Sequence, residues 1–62
     1  MESGTVVRLM TVREVAEMLN VKQSWVYAKI ASREIPHLHV GRYPRFVQAD
    51  VLAWVVGRHD EA

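Results

Sequence analysis

The chain reads as a mostly α-helical domain with a small β-hairpin, in the order helix, helix, hairpin, helix. Three observations predict this. Apolar residues at i, i+3, i+4 and i+7 follow a Thr11/Glu14 capping pair. A second short helical pattern begins just beyond Asn20, across a tight turn. Past Ile35-Pro36 the apolar period changes from that of a helix to that of a strand.

The first helix starts at Thr11, whose hydroxyl oxygen can accept from the Glu14 amide while the Glu14 carboxylate reaches back to the Thr11 amide. Met10 and Val15 can pack as a hydrophobic staple across this start, and Val12, Val15, Ala16 and Leu19 form one apolar face. Arg13 and Glu17, four apart, are left to solvent. Asn20 tolerates the left-handed conformation that ends a helix, so Leu19-Asn20-Val21 forms the turn. The second helix is predicted from about Gln23 to Ala31, with Val26 and Ile30 toward the core. Ser24, Tyr27, Ala28 and Ala31 lie on the opposite face, flanked by Gln23 and Trp25.

Proline pushes the preceding residue out of the helical region, so the helix ends before Ile35-Pro36. Leu38 and Val40 then alternate with His37 and His39, and Phe46 alternates with Arg45 and Val47, giving two strands around Gly41-Arg42-Tyr43-Pro44. Asp50 places an acid in the first turn of a last helix, Val51, Leu52, Val55 and Val56 supply its apolar stripe, and Gly57 can end it. Residues 1–8 are expected to form a loose arm, with extended backbone at Thr5 to Val7; residues 9–57 form the domain and 58–62 a tail.

Sixty-two residues allow one domain and one small core. With no cysteine, no disulfide or thiolate chemistry is available. No leader-like or spanning apolar segment is evident, so a cytoplasmic protein without membrane contact is expected. The net charge of +1 conceals a strong segregation. From Lys22 to Arg45, five cations (Lys22, Lys29, Arg33, Arg42 and Arg45) face the single acid Glu34, a net of +4, while the rest of the chain has three cations against six acids, a net of −3. Basic residues thus gather on the second helix and the hairpin, which points to a polyanionic partner, double-stranded DNA.

The segments Met10-Thr-Val-Arg-Glu-Val-Ala-Glu-Met-Leu-Asn-Val21, Val26-Tyr27 with Ile30, Glu34-Ile-Pro36, Val40-Gly41-Arg42, Arg45-Phe46 and Asp50-Val-Leu-Ala-Trp54 resemble the excisionase family of small winged-helix proteins. That family is akin to the DNA-binding domain of the MerR regulators. The resemblance implies a winged helix-turn-helix, with the second helix in the major groove and the hairpin as a wing along the adjacent backbone or minor groove. The chain departs from the family pattern at Lys22, usually serine or threonine, and at Gln23, Ser24 and Ala28, often arginine. A weaker helix cap and rearranged phosphate contacts are the expected consequence.

Under this reading Gln23 and Ser24 reach base edges, Gln23 because its amide can pair bidentately with adenine. Ala28 leaves room for close approach. Lys22, Tyr27 and Lys29 hold phosphate, and Arg42, Tyr43 and Arg45 form the wing tip. Lys29 lies nearer in angle to Val26 than to Ser24, so snorkelling is its alternative, and Tyr43 has the alternative of packing beside Pro44. Trp25 either touches DNA at the helix rim or tucks against the hairpin, and Trp54 is expected in the core. His37 and His39 share a strand face, but without cysteine or a third ligand they are expected to be an exposed or phosphate-touching pair rather than a metal site. Glu14, Glu17 and Glu34 form no catalytic carboxylate pair, so neither enzymatic activity nor a cofactor is expected.

The chain stops at Ala62, short of the long helix that MerR regulators use to dimerise, which leads to the expectation of a stand-alone recombination directionality factor. The resemblance further implies several copies along repeated sites and an integrase as partner. A small transcriptional regulator would use the same surface. A protein-interaction module anchored on Trp25, Tyr27 and Tyr43 is the alternative of another class.

Overall fold

A computed structural model describes residues 8–58. Thr5 to Val7 and the tail from residue 59 on lie outside the described residues. The elements are β1 (Leu9–Met10), α1 (Val12–Leu19), α2 (Gln23–Ala31), β2 (Leu38–Val40), β3 (Tyr43–Val47) and α3 (Gln48–Arg58). This is a winged helix-turn-helix with three helices and a three-stranded antiparallel sheet in the order β1-β3-β2.

The local signals act as the sequence predicts at α1 and α2. Thr11 Oγ1 accepts from the Glu14 amide at 3.1 Å, and the Glu14 carboxylate accepts from the Thr11 amide at 2.9 Å, closing the capping box. Asn20 takes the left-handed conformation (φ 59°, ψ 49°), and the Val21 amide reaches back to the Ala16 carbonyl at 2.9 Å. Arg13 and Glu17 pair on the exposed side at 3.5 Å.

α2 ends in the same kind of turn, one the sequence does not announce. Arg33 adopts φ 60°, its amide bonds to Ile30 O, and the Glu34 amide bonds to Lys29 O, each at 3.0 Å. These are the two bonds of a Schellman motif. The hydrophobic contact that usually accompanies it is replaced by an ion pair, Lys29 Nζ to Glu34 at 3.5 Å.

β1 adds an unpredicted third strand. Leu9 and Met10 pair with Val47 and Phe46, so β3 is the central strand. The hairpin turn is shorter than expected. Val40 pairs directly with Tyr43, which leaves only Gly41-Arg42 as the loop, so Tyr43 and Pro44 belong to the strand. Gly41 has φ +63° and Arg42 does not share the positive sign, the signature of a two-residue type II′ turn that glycine permits. Pro44 is tolerated because it lies one step past the hydrogen-bonded pair that closes the turn, where its missing N–H is not required by β2.

The core is apolar throughout the described residues: Val12, Val15, Ala16, Val26, Ile35, Phe46 and Val51, with Phe46 the largest. Register places Met10, Pro44, Phe46 and His39 on the inner face of the sheet. Leu9, Leu38, Val40, Tyr43, Arg45 and Val47 lie on the outer face.

α3 corrects two expectations. Its inward stripe is Val51, Trp54 and Val55 rather than Val51, Leu52, Val55 and Val56; Leu52 and Val56 are exposed, as the 100° step dictates once Val51 and Val55 face inward. Gly57 lies inside the helix, which continues to Arg58 because that residue is anchored on Trp54 and Glu34.

Candidate nucleic-acid interface

The exposed face of α2 carries Ser24, Tyr27, Ala28 and Ala31, with Gln23 and Lys22 at its N-terminal end, all outside the core. Three of the four face residues are small, which lets a partner approach the helix backbone closely. Lys22 occupies the N-cap position and makes no side-chain cap hydrogen bond, as its substitution for a serine or threonine predicts. The Trp25 amide donates to the Lys22 carbonyl at 3.0 Å, so the Gln23 and Ser24 amides of the first turn are the ones left to solvent or to an anion, and Lys22 sets a cation beside them.

Gln23 and Tyr27 flank this face on the hairpin side. Together with Arg13, Tyr43, Pro44 and Arg45 they line an open cleft of about 270 Å³, so the N-terminal half of α2 and the hairpin form one continuous surface. Tyr43 and Arg45 stand on the same strand face, with the guanidinium 5.5 Å from the ring centre, and Arg45 Nη1 donates to the Pro44 carbonyl at 2.7 Å. This holds Arg45 in place without neutralising it. Tyr43 is well exposed, so the packing alternative beside Pro44 is not what the structure adopts. Arg42 occupies the turn itself and is exposed.

Two sequence candidates sit elsewhere. Trp25 is half-buried on the opposite flank of α2, packed on the core cluster, with its ring 6.1 Å from that of Trp54 on α3. Lys29 follows it. Its ammonium lies 5.3 Å from the Trp25 ring centre and 3.5 Å from Glu34, with its side chain 22% exposed, so it snorkels over the tryptophan and away from the exposed face of α2.

Glu34 organises that flank. Its carboxylate accepts from Ser32 Oγ at 2.7 Å and from Arg58 Nη1 at 3.2 Å, besides facing Lys29. The Ser32 hydroxyl first, then Lys29 and Arg58, hold the Glu34 carboxyl below its ordinary value of 4.5, outweighing the opposing effect of desolvation. The one acid of the basic segment is thus consumed by joining the C-terminal ends of α2 and α3. It neutralises Lys29 and leaves Lys22, Arg33, Arg42 and Arg45 without an ion pair among the described residues.

Sequence reasoning missed Arg13 at the cleft and did not place Arg33, His37 and His39 together. These three, with Ile30 and Ala31, line a second cleft of about 400 Å³ between the end of α2 and β2. The only sequence signal for it was the period-two pair of histidines. No group of three or more metal-binding side chains occurs among the described residues, and no described helix is long and apolar enough to cross a membrane.

No curated protein and no solved structure matches the chain. The family model of the helix-turn-helix domain matches residues 9–58, which takes in every element from β1 to α3. Two helices joined through a left-handed asparagine, a second helix without a side-chain N-cap and with one exposed face, and a cationic hairpin beside it agree with that match. The chain belongs to the helix-turn-helix domain family, a family of DNA-binding modules.

Proposed function

We propose that this protein is a sequence-specific DNA-binding excisionase, a recombination directionality factor that occupies repeated sites cooperatively and helps an integrase excise a mobile element. The observation that carries the DNA-reading part is the exposed face of α2 lying beside an unpaired cationic hairpin. α2 enters the major groove, where Gln23 and Ser24 meet base edges and Ala28 and Ala31 allow close approach. Lys22, Tyr27, Arg42, Tyr43 and Arg45 contact the backbone and fix register without reading sequence. Trp25 and Lys29 support the helix from behind.

The excision role is supported by the sequence resemblance and by an energetic consideration. Bending a site of 20–30 base pairs by 40–90° requires about 1–6 kcal/mol, which favours cooperating copies when each module makes few contacts. Exposed apolar side chains on the outer faces of the sheet and of α3, such as Val40 and Val56, offer surface for copy-to-copy contact. A gel-shift titration at several salt concentrations tests the reading, using attachment-region DNA, DNA of the gene's own promoter, and random DNA. Stepwise, salt-sensitive complexes on attachment DNA are expected. Tight binding at the promoter alone would replace excision with transcriptional control. Salt-insensitive behaviour throughout would replace the DNA surface with a protein-binding one.

A further inference from the structure

Three described residues take a left-handed backbone: Asn20 (φ 59°), Gly41 (φ 63°) and Arg33 (φ 60°). Asparagine and glycine are the residues that adopt this region most easily, and arginine is not. The Schellman turn at the end of α2 would form at least as well with glycine, so the turn does not account for the arginine. Nor does an ion pair. Among the described residues no carboxylate lies within ion-pair distance of the Arg33 guanidinium, and its neighbour Glu34 is engaged by Ser32, Lys29 and Arg58. A strained, exposed and unpaired cation calls for an external partner.

Its surroundings define that partner's chemistry. The cleft between the end of α2 and β2 holds Arg33 with His37 and His39 and contains no acid. His37 Nδ1 is tied to the Ile35 carbonyl at 2.8 Å, which fixes its ring, and the His39 ring meets it edge-on at 5.4 Å. Ala31 belongs both to this cleft and to the exposed face of α2, so the cleft continues the DNA-reading surface. Nine helical residues separate the Lys22 end of α2 from the Arg33 end. That is about 13 Å, close to the ~12 Å width of the major groove.

We infer that Arg33, with His39 held beside it by the edge-on His37 ring, binds a DNA backbone phosphate on the wall of the major groove opposite the one Lys22 reaches. The inference rests on the DNA-reading function proposed above. It gives α2 a phosphate anchor at each end, so that the helix is clamped in the groove rather than tethered from one side.

The Arg33→Gly variant tests this with two readouts of opposite sign. Glycine suits the left-handed turn, so the thermal midpoint should rise. Binding should weaken by about eightfold at 0.1 M salt, and the log–log salt slope should flatten by about one, the contribution of one neutralised phosphate. The loss should be equal on preferred and random duplexes, and Arg33→Lys should keep the wild-type slope. Wild-type affinity and slope in Arg33→Gly, alongside normal salt-sensitive binding of the wild type, would overturn the inference alone. Absence of salt-sensitive binding by the wild type would overturn the DNA reading and the inference with it. Inorganic phosphate at constant ionic strength should leave wild-type binding unchanged. Competition by phosphate that vanishes in Arg33→Gly would make the cleft a small-anion site and overturn the assignment to DNA.

Discussion

The withdrawal of Lys29 from the reading face has a measurable consequence for salt dependence. The segment Lys22 to Arg45 holds five cations, of which Lys29 is paired with Glu34 and stacked on Trp25. Four remain for phosphate: Lys22, Arg33, Arg42 and Arg45. Each neutralised phosphate contributes about −0.9 to the slope of log K against log salt, so the expected slope is about −3.6, and raising salt from ~50 to ~200 mM should weaken binding about 150-fold. In the double variant Arg42→Ala/Arg45→Ala the slope should fall to about −1.8, and the same salt step should cost only about 12-fold. Lys29→Ala should leave the slope unchanged and lower thermal stability instead, because it loosens the contact among Trp25, Glu34 and the end of α3. Fluorescence anisotropy of a labelled duplex over this salt range measures all three. A wild-type slope shallower than about −2, an unchanged slope in the double variant, or a slope flattened by a full unit in Lys29→Ala would each refute the reasoning.

Other perturbations probe single elements. Glu34 has a depressed folded-state pKa, so its stabilising contribution is fully present above its ordinary 4.5 and is lost as pH falls through the lower folded value; thermal melts of Glu34→Gln should show a weaker acid destabilisation than wild type. Thr11→Ala removes the hydroxyl half of the capping box and should destabilise by about 1 kcal/mol in denaturant titration. Phe46 is completely buried, and Phe46→Ala should cost about 3–5 kcal/mol. A chain of this length has a total stability of only about 3–9 kcal/mol, so the variant should lose a large part of it, and thermal melts followed by circular dichroism should show a sharply lowered midpoint. Gln23→Ala should relax preference at one base position, by about 1–3 kcal/mol in a binding screen across site variants, while leaving random-DNA affinity nearly intact.

The parts of the fold that follow from local chemistry were legible in the chain. The capping box at Thr11 and Glu14, the left-handed Asn20 and the limits of α2 each depend on residues within five positions of one another, and the structure reproduces them. What escaped depends on partners far along the chain. β1 is two residues long, and only pairing with Phe46 and Val47 makes it a strand. Trp25 turned inward because Trp54, 29 positions later, supplies a ring to meet it. Lys29 followed Trp25, and Arg58 kept Gly57 helical, through contacts that no periodicity encodes. The unusual backbone at Arg33 was hidden for a different reason: propensity argues against a left-handed arginine, and only the geometry shows that the chain accepts one.

β3 passes into α3 without an intervening residue, Val47 ending the strand and Gln48 opening the helix. The same strand is held on both edges, by β1 and by β2. The wing is therefore a cantilever clamped at its root, with no hinge at which it could swing to follow an irregular backbone. A load applied at Arg42 is carried along the strand into α3 and, through Glu34 and Arg58, back to the end of α2. When such a body meets a duplex whose curvature does not match its own, the more compliant partner conforms. For the proposed duplex partner, that means the nucleic acid yields at its flexible pyrimidine–purine steps. Under the proposed DNA-reading function, stiffness in the protein would by this route become a preference among sequences that no side chain touches.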